Sequence, residues 1–116
     1  MEELECYKVV RVTDKGKYIS ISAMEFVEYI PYEWAHKKSK CGPLASFDSM
    51  ENVERFVSLF GVNRADMKKG TNFKVFKCKI VNSVFHSLWN STGTATYYLP
   101  KGTILADSIM LLEEVQ

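Results

Sequence analysis

The chain has 116 residues, 47% hydrophobic, 13% aromatic and 25% charged, the profile of one soluble globular domain over residues 1–116 rather than a disordered or fibrous chain. A formal net charge of +1 provides no global field to recruit nucleic acid or an anionic membrane. No apolar run reaches the roughly 18 to 20 residues of a membrane span, and the acidic start MEELECYKVV does not resemble a signal peptide, so a cytoplasmic location is expected.

The first run, Glu5 to Thr13, is rich in β-branched residues and stops at Asp14-Lys15-Gly16-Lys17, where Asp and Gly supply turn conformations. Tyr18 to Ser22 then alternates Ile19 and Ile21 with serines, and the two runs predict a hairpin. Phe26 to Trp34 carries Phe26, Tyr29, Tyr32 and Trp34 and is interrupted by Pro31, which confines it to an edge, bulge or turn. The basic stretch Ala35 to Gly42 predicts an exposed loop before a short strand, Leu44 to Phe47.

A helix is predicted from Ser49 to Phe60. Asp48 and Glu51 have capping-box spacing, Val53, Phe56, Val57 and Phe60 form an apolar stripe, and Gly61 supplies the stop. Thr71 to Val81 predicts a long strand with Phe76, Cys78 and Ile80 on one face and Lys77 and Lys79 on the other. Phe73 and Val75 fall on the lysine face, which calls for a bulge or a change of cover there. Ser83 to Trp89 suits either a strand or a helical turn. Thr94 to Leu99 is β-prone, and Thr103 to Val115, after Pro100-Lys101-Gly102, is assigned to a strand although its pattern also suits a helix. The expected fold is α+β, a mostly antiparallel sheet packed against the one main helix, residues 49–60.

Chemistry is sparsely signposted. Cys6, Cys41 and Cys78 are widely spaced and lack a CxxC pair, so neither a disulfide framework nor a zinc site is implied, and Cys78 is expected to be a small core residue. Asn90-Ser91-Thr92 matches a glycosylation tripeptide and is expected to be a polar turn. His36 lies in a basic loop, while His86, between Phe85 and Ser87, is expected to be hydrogen-bonded and partly buried. There is no phosphate-cradling glycine motif and no His or Cys cluster with metal-ligand spacing, so no catalytic residue, metal or cofactor is assigned.

Two features suit binding. Between Arg64 and Lys79 the basic side chains Arg64, Lys68, Lys69, Lys74, Lys77 and Lys79 face only Asp66, a patch suited to an acidic protein or a single-stranded nucleic acid; the alternative is a solvated strand face whose lysines block edge pairing. The aromatics form two groups. Phe26 and Phe85 are assigned to the core, and Tyr32, Trp34 and Trp89 to either packing or an exposed anchor; Tyr97 and Tyr98 accompany the second group. The candidate partner-binding residues are Tyr32, Trp34, Trp89, Lys68, Lys69, Lys74, Lys77 and Lys79, and the aromatic edge also suits a homodimer.

YKVVRV, GPLASFDSMENVERF, FKVFKCKI and LPKGTILADSIMLLEEV, in that order, resemble small proteins of bacteria and their phages. The resemblance implies an accessory protein of phage or mobile-element type that inhibits or sequesters a component of a bacterial defence system, in the manner of an anti-CRISPR protein. The middle piece is also similar to a segment of ADP-ribosyltransferase-like folds. That similarity implies an enzyme or degenerate NAD binder, with Arg11, Tyr18 or Ser20, and Glu113 in the functional positions by order alone. A single-stranded nucleic-acid module through the basic patch is the remaining alternative.

Overall fold

The computed structural model describes residues 3–20, 27–38, 41–59, 73–89, 95–96 and 99–115. Expectations for Ile21, Ser22, Phe26, Phe60, Gly61, Arg64, Asp66, Lys68, Lys69, Thr71, Asn90 to Thr92, Thr94, Tyr97 and Tyr98 lie outside those residues. The elements are β1 (Glu3–Val12), β2 (Tyr18–Ser20), β3 (Glu28–Tyr29), β4 (Trp34–His36), β5 (Leu44–Phe47), α1 (Met50–Leu59), β6 (Phe73–Asn82), β7 (Leu88–Trp89), β8 (Ala95–Thr96) and β9 (Thr103–Glu114).

β1 and β2 form the expected hairpin, with Val12 opposite Tyr18. Its loop is closed by Thr13 N–H to Lys17 C=O at 2.8 Å and Gly16 N–H to Thr13 C=O at 2.8 Å, with Gly16 at φ +78°. β3 extends this hairpin by pairing with β2. β7 and β8 make a separate two-stranded ribbon, so part of the segment Ser83 to Trp89 is strand and the rest is surface loop.

The long strands close on themselves. β1 pairs with β6 from Glu3 to Arg11 along one edge and meets β5 at Tyr7 and Phe47 along the other. β9 pairs with β6 along one edge and with β5 and then β4 along the other. The circuit β1–β6–β9–β5–β1 is therefore a small closed antiparallel β-barrel, with β2, β3 and β4 as added strands. Closure satisfies backbone donors and acceptors that an open sheet would expose at its edges.

The expected α+β arrangement, a sheet packed against a main helix, is thereby corrected. The principal core is the barrel interior, filled by Cys6 and Val10 of β1, Phe76, Cys78 and Ile80 of β6, Ala106, Ile109 and Leu111 of β9, and Leu44 of β5. Tyr29 and Ala35 from the added strands close it. Ile80, Ile109 and Leu111 are fully buried, a burial worth about 1.5 to 3 kcal/mol per side chain. A strand pattern reveals which residues share a face but not that the sheet will curl until its own strands face one another, and for that reason the helix looked like the missing partner.

α1 instead covers one patch of the outer wall. Val53 and Val57 pack on Val9, Phe47 and Val75, with Phe56, Phe73 and Val115 beside them. This is the change of cover demanded by Phe73 and Val75: the outward face of β6 is apolar under the helix and carries exposed Lys77 and Lys79 beyond it. Glu54, Arg55 and Ser58 face water as the helical period requires. The cap is shifted by one residue from expectation. Ser49 Oγ accepts the Asn52 N–H at 3.2 Å, while Asp48 Oδ1 accepts from the Asn52 side chain at 2.7 Å, because Asp48 is held at the end of β5 by its N–H bond to Gly102 C=O.

Candidate functional site

Pro31 follows Ile30 directly after β3, and a proline at the second position of a tight turn sets its first φ. The turn Ile30 to Glu33 is closed by Glu33 N–H to Ile30 C=O at 3.0 Å, and Tyr32 occupies its third position with φ +67°. Glycine is the residue suited to that conformation; an L side chain there costs roughly 1 to 2 kcal/mol. Tyr32 is held in place because its N–H donates to Leu111 C=O on β9 at 2.8 Å. Its ring gains little in return, being 63% exposed, and Ile30 beside it is 50% exposed. A left-handed backbone that displays rather than buries an aromatic ring makes Tyr32 the leading candidate for a contact residue on this face.

The strands next to this turn extend the face. Directly opposed residues in an antiparallel ladder project from the same side. Trp34 on β4 is opposite Met110 on β9, Met110 is opposite Lys79 on β6, and Lys79 is opposite Glu5 on β1. Ala35, between Trp34 and His36, points into the core, so this row lies on the outer wall. Trp34 and Met110 are half-buried and Lys79 and Glu5 exposed. One step along, β9 places both Leu112 and Glu113 against the single residue Lys77, a bulge seen as the register shift between Phe76 and Cys78. In the other direction His36 Nδ1 lies 2.6 Å from Ser108 Oγ.

The structure thus brings Tyr32, Trp34, Lys77 and Lys79 together on one wall and separates the rest. Lys74 has the opposite alternation to Lys77 and Lys79 and is engaged at the barrel rim, 3.1 Å from Glu114 and 5.9 Å from the centre of the Tyr18 ring. Its hydrogen bond to Glu114, and the charge of that carboxylate, raise the ammonium above its usual value. Trp89 sits on the other ribbon: its C=O accepts the Gly42 N–H at 2.9 Å, and its ring meets Phe85 edge-on at 4.9 Å. Lys68 and Lys69 lie outside the described residues. Phe85, expected in the core, is 43% exposed, and His86 is exposed rather than partly buried; both belong to the surface loop that leads into β7.

The basic patch also changes character in three dimensions. Lys79 is in register with Glu5, Lys77 faces the bulge that carries Glu113, and Lys74 is paired with Glu114. Carboxylates from β1 and β9 are interleaved with cations that are nearly unopposed along β6.

Arg11, Ser20 and Glu113 are not gathered. Arg11 is level with Phe73, whereas Glu113 is level with Lys77 on the far side of β6, about 13 Å further along at the usual strand rise. The Ser20 hydroxyl is buried and committed to Val27, accepting its N–H at 3.1 Å and lying 3.3 Å from its C=O. Among the described residues no group of three or more His, Cys, Asp and Glu side chains is placed to hold a metal ion.

One interior residue escaped the sequence reading altogether. Lys8 shares the inward alternation of Cys6 and Val10 and is 4% exposed; its Nζ donates to Ala45 C=O at 2.6 Å and stands 5.3 Å from the centre of the Tyr29 ring. Its parity with Cys6 and Val10 was the available signal, masked because Tyr7 and Val9 make the opposite parity apolar as well.

Fold and surface together define a small closed β-barrel with a helix on one wall and an aromatic and charged face on another. Comparison with protein-family models, curated proteins and solved structures finds no match. No helix among the described residues is long and apolar enough to cross a membrane.

Proposed function

We propose that this barrel is a non-enzymatic binding protein that engages a protein partner through the wall formed by Tyr32, Trp34, Met110, Lys77 and Lys79. The observation that carries this reading is the exposed Tyr32 ring on a left-handed backbone, anchored to β9 immediately beside the Trp34 row. Tyr and Trp anchors framed by charged groups of both signs suit a protein surface, where apolar contact supplies the affinity and charges set orientation. A nucleic-acid backbone is a poorer fit, because the lysines in register with carboxylates do not form a continuous cationic track. The partner class we favour is a component of a bacterial defence complex, met in the cytoplasm, with the chain acting as a phage or mobile-element inhibitor.

The test is binding to purified candidate defence complexes, with wild type compared with Tyr32→Ser and Trp34→Ala. Saturable binding that both substitutions weaken at least tenfold, with circular dichroism unchanged, is the expected result. Absence of association at micromolar concentration, or binding indifferent to both substitutions, overturns the proposal. Incubation with NAD tests the enzymatic alternative in the same preparation: nicotinamide release would replace the binding reading with a catalytic one.

A further inference from the structure

Two of the three cysteines meet inside the barrel. Cys6 on β1 and Cys78 on β6 are direct partners in the antiparallel register, and both belong to the interior cluster. They are 2% and 0% exposed. Directly opposed residues have Cα atoms about 4.5 to 5.5 Å apart, inside the roughly 4.4 to 6.8 Å that a disulfide spans. Their Cβ atoms are typically about 4.5 to 5.5 Å apart against the roughly 3.8 Å of a relaxed bridge, so the strands must draw together slightly. A bridge closed under that strain is readily reopened by thiols, unlike a permanent staple. Cys41 lies apart, half-buried in the loop before β5.

The surroundings treat the thiols as a unit. Burial raises both, and the charge of Cys6 further opposes ionisation of Cys78. Lys8, on the same inward face two residues from Cys6, opposes the rise at Cys78 without cancelling it, so both thiols stay protonated while the barrel is closed.

We propose that Cys6 and Cys78 are a reversible redox pair, whose disulfide ties β1 to β6 inside the barrel when a low-molecular-weight disulfide such as oxidised glutathione is the oxidant. In a local opening of β1 from β6 that admits the reagent and lets a thiol ionise, one cysteine thiolate attacks a sulfur of glutathione disulfide, breaking its S–S bond and releasing one glutathione thiolate. The second cysteine, as thiolate, attacks the protein-bound sulfur; the Cys6–Cys78 bond forms and the second glutathione leaves. The two cysteine protons end on the two glutathione thiols, and the pair has been oxidised by two electrons while glutathione disulfide has been reduced by two.

The full chain, folded and in buffer, is incubated with oxidised glutathione, quenched in acid, then denatured and alkylated for intact-mass and peptide analysis. The expected result is one alkylated cysteine, Cys41, in place of three, a protein lighter by two hydrogen atoms before alkylation, and a linked peptide containing Cys6 and Cys78. Dithiothreitol restores three alkylated cysteines. A parallel Cys41→Ser sample must give the same linked peptide. The proposal is overturned by three free thiols after oxidation, by glutathione adducts that do not close, by a linkage through Cys41, or by a linkage that forms only in denaturant.

Discussion

Gly16 and Gly102 have nearly the same backbone conformation, φ +78° and +81°, in very different surroundings, and replacing each with alanine separates two kinds of cost. A Cβ on Gly16 meets nothing within 4 Å, so Gly16→Ala carries only the left-handed penalty, about 1 kcal/mol. A Cβ on Gly102 would overlap the Asn52 side chain and lie 2.6 Å from Asp48 Oδ1. Asn52 must then swing away and give up its 2.7 Å bond to Asp48, adding about 1 kcal/mol for the bond and about 1 more for residual crowding. Gly102→Ala should therefore cost about 3 kcal/mol against about 1 for Gly16→Ala. Urea unfolding followed by tryptophan fluorescence measures both, provided the slopes with denaturant match. Asn52→Ala combined with Gly102→Ala should be less destabilised than the sum of the two single variants, since the first removes one of the two side chains that crowd the new Cβ and leaves only Asp48. Equal costs at Gly16 and Gly102, or strict additivity in the double variant, would refute the packing argument and leave only backbone strain.

Tyr32→Gly relieves the positive-φ cost but loosens the unfolded chain, for an expected net stabilisation of about 0.5 to 1 kcal/mol in thermal or urea unfolding, and on the proposed function it should weaken partner binding; destabilisation would mean that the ring packs in the free protein. Ser49→Ala removes the acceptor for Asn52 N–H and should cost about 1 kcal/mol, whereas Asp48→Ala should leave this cap in place; the reverse ranking would restore Asp48 as the cap. Burial pushes the Cys78 thiol up to about 12 from its ordinary 9.0, Cys6 adding to the rise and Lys8 opposing it. Between those values the unfolded chain holds fewer protons than the folded one, so this thiol's contribution is intact below pH 9 and lost toward pH 12, at about 1.4 kcal/mol per pH unit. Urea midpoints under reducing conditions should fall less steeply with alkaline pH in Cys78→Ala than in wild type, and parallel slopes would contradict the assignment.

Local pattern carried far into this structure. β-Branched composition placed β1, alternation placed β2 and β6, turn residues placed β5 and the start of β9, the i, i+3, i+4, i+7 spacing placed α1, and the conflict between Phe73, Val75 and the lysines of β6 called for a bulge or a change of cover, which α1 supplies. These features depend on neighbours within a turn or two, so the chain states them directly. Residue type alone makes Trp34, Lys77 and Lys79 candidate contact residues, but does not show that β9 sets them side by side.

What the tertiary structure alone decided depends on pairing between distant segments. A period of two assigns faces without naming partners, and β1 is apolar on both faces, so nothing local distinguished a barrel interior from a surface under a helix. Closure of β1, β6, β9 and β5 turned Lys8 inward, set Cys6 against Cys78, and interleaved the β6 lysines with carboxylates more than thirty positions away. The left-handed backbone of Tyr32 was hidden for a related reason. Its residue type disfavours a left-handed backbone, and only the bond from its N–H to Leu111, supplied by a strand nearly eighty residues later, holds it there.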